Sequence, residues 1–274
     1  MTEGPDIPAT RLFGQKVDFG KTASDYRSFR AGFPESFFEA LSAREFIRAG
    51  QRALDLGTGT GTIARGLARR GLAVKGIDIA EPLMSAAAAL DKEEGITVEY
   101  RLGPAEALAE PDASVDVVTA GQCWHWFDRP KAAAEAARVL IPGGRIIIAH
   151  FDWLPLAGNV VEATEELILA FNPSWTLARG AGIYPAWLRD LGEATFTQLE
   201  TFSFDLPVSY SHEAWRGRIR ASAGVKASLE TEEIIRFDAA LAGLLRKRFP
   251  SDPLNIPHRV WVATGVKPQL AAQS

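Results

Sequence analysis

The sequence predicts an α/β fold built around a mainly parallel β-sheet. Between residues 52 and 151, short apolar segments typical of buried strands alternate with longer segments of helical periodicity. Three glycines at every second position follow the first of these strands, in the stretch ALDLGTGTGTIARGLA (53–68). Alternation of strands and helices indicates right-handed crossovers, and the ligands of such sheets bind at the carboxyl ends of the strands.

The first helix is predicted over PESFFEALSAREFIRAG (34–50), where apolar residues recur at helical spacing until Gly50 ends the segment. Strands and helices then follow in the order RALDL (52–56, strand), TIARGLARRG (62–71, helix), AVKGIDIA (73–80, strand), EPLMSAAAALDKEEG (81–95, helix), TVEYRLG (97–103, strand), SVDVVTAG (114–121, strand), RPKAAAEAARVLIPGG (129–144, helix with a Pro-Gly-Gly stop) and RIIIAHF (145–151, strand).

After Phe151 this pattern changes, because helical segments come before the next strand. The segments are NVVEATEELILAFNPSW (159–175, helix), PAWLRDLGEA (185–194, helix), FTQLETFSFDLPVSY (196–210, strand), SHEAWRGRIRASAG (211–224, helix), TEEIIRFDAALAGLLRKRFP (231–250, helix) and PHRVWVATGVK (257–267, strand). The stretch NPSWTLARGAGIYPAW (172–187) combines aromatic residues and glycines, which suits either a mobile lid or an ordinary connection.

The composition is that of an ordinary globular protein, with 47% hydrophobic and 23% charged residues among 274. A net charge of -4 lacks the basic excess of nucleic-acid-binding proteins, so we expect no nucleic-acid partner. Cys123 is the single cysteine, and no cluster of ligand residues has metal-binding spacing. Without a signal-like apolar segment at the N-terminus or a run long enough to span a bilayer, the sequence predicts a cytoplasmic protein with no membrane partner.

The glycine-rich stretch predicts a loop that holds a nucleotide-like ligand. Gly57, Gly59 and Gly61 lie between a strand and a helix, where glycines permit φ > 0 and let a ligand approach the main chain. Read from Gly59, the stretch GTGTIA fits the G-x-G-x-x-A pattern of a dinucleotide fold, with Asp78 at the distance of a ribose-binding acid. Read from Asp55, it adds an acid that could accept a hydrogen bond from a ligand ammonium, directly or through water.

Five motifs in one order resemble the class I S-adenosylmethionine-dependent methyltransferases: LDLGTGTG, GIDIAEPLM, GPAEAL, VDVVTAGQCWHWFD and ARVLIPGGRIIIAHF. The resemblance covers roughly residues 26–151, and HWFD together with DYRSFRAGFP is similar to the small-molecule branch that includes trans-aconitate methyltransferase-like proteins. It implies a Rossmann-like sheet of seven strands with the last antiparallel, and helices on both faces.

Within that fold we expect one domain of four parts. They are an N-terminal arm (1–33), a cofactor-binding core (34–151), a helical cap inserted after the fifth strand (152–195), and a C-terminal part of the sheet with substrate-side helices (196–268).

The resemblance also implies which residues bind S-adenosylmethionine. Asp78 would accept hydrogen bonds from the ribose hydroxyls, Ile79 would pack on the adenine, and the amide of Ala105 would meet the adenine edge. Pro104 stands where many relatives carry an acid for the exocyclic amine. The full set of cofactor contacts that the resemblance implies would be Tyr26, Arg30, Asp55, Gly57, Thr58, Gly59, Gly61, Asp78, Ile79, Ala105, Glu106, Gly121 and Gln122.

The predicted function is methyl transfer to a small-molecule acceptor, on a hydroxyl or carboxylate oxygen. A hydroxyl must lose a proton, and the candidate bases are His125 and His150, both at predicted strand ends. His150 could instead form a structural pair with Asp152. A carboxylate acceptor would need no base.

The predicted acceptor-binding residues are Trp124, whose ring could contact the sulfonium, and His212 and Arg216 on one helical face. That face, which includes Arg220, could instead be solvated. Two other functions stay open: a nicotinamide-dependent oxidoreductase, and a cofactor-binding protein without transferase activity. The oligomeric state is not predicted.

Overall fold

The computed structural model describes residues 11–12, 15–16, 32–222, 224–225 and 228–269. The strands of its sheet are β1 (Arg52–Leu56), β2 (Ala73–Asp78), β3 (Glu99–Leu102), β4 (Val115–Gly121), β5 (Leu140–Trp153), β6 (Thr197–Tyr210) and β7 (Leu254–Val266). The α-helices are α1 (Glu35–Ala43), α2 (Thr62–Ala68), α3 (Glu81–Glu94), α4 (Arg129–Val139), α5 (Val160–Phe171), α6 (Trp187–Glu193), α7 (His212–Arg220) and α8 (Thr231–Arg248).

The seven strands form one sheet in the order β3-β2-β1-β4-β5-β7-β6. Strand β1 pairs in parallel with β2 and β4, β2 pairs in parallel with β3, and β4 pairs in parallel with β5. Strand β7 runs antiparallel to β5. The predicted fold class is therefore confirmed, including the antiparallel last strand, and the parallel strands place the carboxyl ends of β1, β2, β4 and β5 at one edge.

Apolar residues of the sheet alternate between two layers, because successive side chains of a strand point to opposite faces. On one face, Leu54 and Leu56 belong to a buried cluster that also contains alanines of α4 and residues of α6. Elsewhere in the core, Phe38 of α1 packs so closely on α2 that a Cβ atom at Gly66 would lie 2.1 Å from its ring. This close approach explains the glycine inside a short helix.

Several element boundaries differ from the sequence prediction, and two of the differences have a clear local cause. Helix α1 ends at Ala43 rather than at Gly50, because Glu45 adopts a left-handed conformation with φ of 55°. Pro142 to Gly144, predicted as a stop between a helix and a strand, lie within β5. They occupy a register irregularity between Leu140, which pairs with Val115, and Arg145, which pairs with Val117.

The described residues fall into two compact units. One contains residues 154–181 and 207–257, together with a two-residue antiparallel pairing of Arg11–Leu12 with Gln15–Lys16. The other contains residues 32–153, 182–206 and 258–269. This division differs from the cap expected at 152–195, since residues 182–195 group with the sheet and two later helices group with α5. Within the described part of the chain, no helix combines the length and apolarity of a membrane span.

Candidate functional site

The loop between β1 and α2 has the conformation that its glycines predict. Gly57, Gly59 and Gly61 all have positive φ, at 59°, 55° and 74°. A Cβ atom at Gly57 would lie 2.8 Å from Cys123, and one at Gly61 would lie 2.3 Å from the hydroxyl of Tyr100. Among the described residues, no atom lies within 4 Å of the corresponding position at Gly59. The loop is therefore tightly packed at both ends and open at its centre.

Asp55, at the end of β1, is buried beneath this loop. Its carboxylate accepts hydrogen bonds from the hydroxyls of Thr58 and Thr119, each at 2.7 Å. Burial raises the pKa of Asp55 to about 6, although hydrogen bonds from the two threonines and from the backbone of Ala64 oppose this. Asp55 thus ties the loop to β4, and its two oxygens are engaged by protein groups rather than presented at the surface.

Asp78, at the end of β2, lies beside the open centre of the loop. Its Oδ2 accepts a hydrogen bond from the amide of Gly59 at 2.8 Å, and its Oδ1 accepts one from the amide of Ala80 at 2.8 Å. The backbone of Ile79 also donates to this carboxylate, which has about four acceptor sites and so keeps capacity for a further donor. The neighbouring Ile79 is 38% exposed and so presents an apolar surface beside this carboxylate.

The motif after β3 contributes structural contacts. Ala105 is buried, and the carboxylate of Glu106 accepts a hydrogen bond from the amide of Asp128 at 2.8 Å, just before α4 begins. Glu106 therefore connects the loop after β3 to the start of α4. Its side chain is committed to that link, whereas the cofactor role expected for it stays a prediction.

Gly121 ends β4 and Gln122 follows it, and both residues lie close to neighbouring elements. A Cβ atom at Gly121 would lie 2.3 Å from Ile63 of α2. Gln122 has φ of 62°, its amide donates to the carbonyl of Ala149, and its side-chain amide donates to the carbonyl of Phe151. These two residues join the ends of β4 and β5 to the start of α2. Tyr26 and Arg30, the other expected cofactor contacts, lie outside the described residues.

Trp124 lies in the core, which contradicts its expected contact with the acceptor. The chain leaves β4 in a short 3₁₀ helix, Trp124–Trp126, which turns the first tryptophan inward. Its ring is completely buried, and its indole N–H donates to Asp190 of α6 at 3.0 Å. Trp126 and Phe127 are partly buried and pack against the same core cluster. The direction of the turn, not the distance from the strand end, decides this arrangement.

The two histidines expected as bases lie side by side, with ring centroids 5.3 Å apart. His125 is partly exposed and His150 is 3% exposed. Nδ1 of His150 lies 3.2 Å from Oδ2 of Asp152, and the hydroxyl of Tyr184 donates to the same oxygen at 2.6 Å. Burial alone would raise the pKa of Asp152, but His150 and the hydrogen bonds from His150 and Tyr184 lower it to about 2.

Around this group, Tyr184 and Trp187 stack with ring centroids 4.2 Å apart and nearly parallel planes at 7°. Trp187 also contacts the ring of His150 at 4.9 Å, and Trp261 meets Trp187 edge-on at 5.6 Å. We call His125, His150, Asp152, Tyr184, Trp187 and Trp261 the histidine–aromatic cluster. Sequence reasoning missed Tyr184 and Trp187, for which the aromatic stretch IYPAW (183–187) is the only signal.

His212 and Arg216, expected to bind the acceptor, make structural contacts within the other unit. Nε2 of His212 lies 2.9 Å from the carbonyl oxygen of Ser251. The guanidinium of Arg216 binds the carboxylate of Asp238 in α8, and Arg220 binds the same carboxylate at 2.5 Å. The face expected to be basic is thus partly neutralised by Asp238, because both arginines share its negative charge.

A second buried network, which the sequence analysis did not predict, supports the glycine loop. Nη1 of Arg65 lies 2.5 Å from Asp91, and Nη2 donates to the carbonyl of Thr60 at 2.9 Å. The hydroxyl of Tyr100 donates to the other oxygen of Asp91 at 2.8 Å. This group therefore fixes both the carbonyl of Thr60 and the hydroxyl that faces Gly61. Among the described residues, no group of three or more potential ligand side chains is arranged to hold a metal ion.

The comparisons with known proteins agree with this geometry. Residues 54–148 match the family model described as a methyltransferase domain. An uncharacterized methyltransferase of Mycobacterium tuberculosis is 39% identical over 152 residues, which are 53% of this chain and 59% of the relative. The ubiquinone biosynthesis O-methyltransferase of Xanthomonas axonopodis pv. citri is 35% identical over 191 residues, which are 68% of this chain and 76% of that relative.

Among solved structures, the chain is similar to a protein of Anaeromyxobacter dehalogenans that is provisionally described as a type II methyltransferase. The two are 25% identical with a TM-score of 0.64, over 88% of this chain and all of the other. The chain covers about three fifths of the mycobacterial relatives, so their full length contains sequence without a counterpart in this alignment.

Proposed function

The chain belongs to the methyltransferase family, and we propose that it transfers a methyl group from S-adenosylmethionine to an oxygen atom of a small-molecule acceptor. The observation that carries this proposal is the open glycine loop, whose Gly59 amide is bound by Asp78 at the carboxyl edge of the sheet. The similarity to an enzyme named as a ubiquinone biosynthesis O-methyltransferase supports oxygen as the acceptor atom.

The residues present at this edge fit S-adenosylmethionine. Asp78 retains acceptor capacity for the ribose diol, and exposed Ile79 offers an apolar surface for the adenine. The space beside Gly59 lets a ligand approach the backbone of the loop. Asp55 acts indirectly, because it holds Thr58 and so the shape of the loop.

Bound S-adenosylmethionine supplies an electrophilic methyl group on a sulfonium. The protein's task is then to hold the acceptor oxygen in line with that methyl group, since proximity and orientation supply much of the rate enhancement of such displacements. His150 is proposed to accept the proton of an acceptor hydroxyl, with partly exposed His125 beside it. Both histidines lie where β4 and β5 end, at the same edge as the cofactor residues.

Calorimetric titration with S-adenosylhomocysteine, alongside NAD, tests the cofactor. We expect binding of S-adenosylhomocysteine alone, with an affinity about tenfold or more weaker in Asp78→Ala, because the ribose hydroxyls lose their acceptor. Asp112→Ala, which changes an exposed acid near the opposite end of β4, is the matched control and should bind normally. Preferential binding of NAD would favour the oxidoreductase alternative and overturn the proposal.

A mass-shift screen of hydroxyl and carboxylate acceptors tests the transfer itself. We expect a product about 14 mass units heavier than its acceptor, because a methyl group replaces one hydrogen. We also expect His150→Gln to lower kcat by about 10²–10⁴-fold while the affinity for S-adenosylhomocysteine stays unchanged. Tight cofactor binding without product across the panel would favour a binding protein without transferase activity. A cytoplasmic location is part of the same proposal, and cell fractionation tests it.

A further inference from the structure

We propose that Asp152 and Tyr184 are positioning residues that hold His150 in a single tautomer, with the proton on Nδ1 and the lone pair on Nε2. The inference deepens the proposed function and rests on it for its chemical purpose, because only a neutral imidazole with a bare Nε2 can take a proton from an acceptor hydroxyl at that atom.

The direction of the hydrogen bond between His150 and Asp152 follows from the charge of the carboxylate. Asp152 is ionised at neutral pH, because even the ordinary pKa of an aspartate lies far below 7, and an ionised carboxylate can only accept hydrogen bonds. Nδ1 of His150, 3.2 Å from Oδ2, must therefore carry the proton for this contact to be a hydrogen bond. In a neutral ring that assignment leaves the lone pair on Nε2.

Tyr184 fixes the carboxylate in this orientation. Its hydroxyl donates to Oδ2 at 2.6 Å, the same oxygen that faces His150. Burial and the charge of Asp152 raise the pKa of Tyr184, so the phenol keeps its proton and stays a donor. Its ring is held by the stack on Trp187 and by an edge contact with Trp261 at 5.7 Å. The carboxylate that faces the histidine is thus also held by a rigid aromatic group.

The far side of the histidine ring has a different character. The His150 side chain is only 3% exposed. Its Nε2 atom is buried and has no hydrogen-bond partner within the described residues. Buried polar atoms are nearly always paired, so an acceptor atom left open opposite a well-held Nδ1 points to a group that arrives during function. A hydroxyl can donate a hydrogen bond to this lone pair, whereas an ionised carboxylate has no hydrogen to donate.

The tautomer can be measured directly in the intact protein, without knowledge of the acceptor. Long-range ¹⁵N–¹H correlation spectra of protein labelled at its four histidines report which nitrogen of each ring is protonated, and His150→Gln assigns the signal. We expect His150 to carry its proton on Nδ1. Asp152→Ala should remove this preference, and Tyr184→Phe, which keeps the stacked ring, should weaken it.

Asp112→Asn is the matched control, since Asp112 is an exposed acid that binds Arg138 near the opposite end of β4, and it should leave the His150 signal unchanged. A wild-type His150 protonated on Nε2, or a tautomer unaffected by Asp152→Ala, would overturn the inference. Because Tyr184→Phe loses only a hydroxyl, it remains informative where Asp152→Ala does not fold.

A double-mutant cycle separates positioning from a purely structural role. With a hydroxyl acceptor from the screen, Asp152→Ala should lower kcat about tenfold or more in the wild type and have little effect in His150→Gln, because its action passes through that histidine. An equal loss in both backgrounds would contradict a positioning role. If the tautomer behaves as expected and no acceptor is methylated, the proposed function fails while the assignment of Asp152 and Tyr184 stands.

Discussion

Two carboxylates of the sheet unit, the buried Asp91 and the partly buried Asp152, have similar sets of partners and different consequences. Asp91 is bound by Arg65 and the hydroxyl of Tyr100, and Asp152 is bound by His150 and the hydroxyl of Tyr184. Around Asp91 the network is closed, since Arg65 also binds the carbonyl of Thr60. Around Asp152 it is open, because Nε2 of His150 has no partner among the described residues.

The difference follows from the chemistry of the two basic side chains. The arginine is permanently charged and uses a fork of donors, which suits a fixed support beneath the glycine loop. A histidine can exchange its proton near neutral pH, which suits a group that takes part in a reaction. A network in which every polar atom is paired therefore indicates a structural role, whereas a similar network with one unpaired buried atom indicates a functional one.

The largest effect is expected from breaking the closed network. Arg65→Met keeps most of the side-chain volume but leaves Asp91 without its cation, and loss of one partner of a buried pair costs about 3–5 kcal/mol. Urea unfolding measures this change. Glu94→Gln removes a partly exposed carboxylate 3.7 Å from the same guanidinium and should cost only about 0–1 kcal/mol. An equal loss of unfolding free energy in the two variants would show that the buried Arg65–Asp91 pair stabilises the fold no more than a partly exposed pair does.

The next effect is a pH dependence with opposite signs at Asp55 and Asp152. The folded-state pKa of Asp55, about 6, lies above the ordinary 3.8, so its contribution to stability is complete below pH 3.8 and lost as pH rises through 6. At about 1.4 kcal/mol per unit of pKa difference, the free energy of unfolding falls by roughly 3 kcal/mol across this pH range. Unfolding of wild type and Asp55→Asn between about pH 4 and 7 measures it, since the variant lacks this titration.

For Asp152 the sign reverses. Its folded-state pKa of about 2 lies below 3.8, so its contribution is present above pH 3.8 and lost as pH falls through 2. Asp152→Asn should therefore flatten the stability profile below about pH 4, where Asp55→Asn should not. Identical profiles for the two variants would contradict the contrast between the two carboxylates.

A smaller effect is expected from filling the space at the glycine loop. Gly61→Ala places a methyl group 2.3 Å from the hydroxyl of Tyr100 at φ of 74°, and should weaken S-adenosylhomocysteine binding about tenfold by displacing the loop. Gly95→Ala has a similar φ of 67°, and no atom of the described residues lies within 4 Å of the new Cβ, so this variant measures the effect of backbone strain without a steric clash. Equal affinities in the two variants would remove Tyr100 as a support of the loop.

The smallest effect on activity is expected at Trp124. Trp124→Phe keeps an aromatic ring in the core but removes the N–H that binds Asp190, which should lower stability by about 1–3 kcal/mol. Steady-state kinetics should show an unchanged KM for the acceptor, since the ring lies in the core. A raised KM for the acceptor with unchanged stability would contradict this expectation and support the acceptor contact that the sequence predicts for Trp124.

Local sequence patterns are sufficient to predict much of this fold. Strand β1 coincides with the predicted RALDL, and α3 lacks only the final Gly95 of its prediction, because apolar runs and left-handed glycines are properties of short segments. The boundary predicted for α1 is wrong, since the run of apolar residues through Ile47 continues into a turn that is buried without being helical. The glycine loop and Asp78 are predicted correctly at the carboxyl edge for the same local reasons.

By itself, the sequence determined the order of strands and helices, the glycine loop and the family of the chain, all of which depend on residues close together in the chain. Only the tertiary structure decided that Trp124 turns into the core, that Arg216 is bound by Asp238, and that Tyr184, 32 residues from Asp152, binds the carboxylate beside His150. The physical reason is that side-chain direction after a strand end depends on a single turn, and buried networks join segments that no periodicity connects.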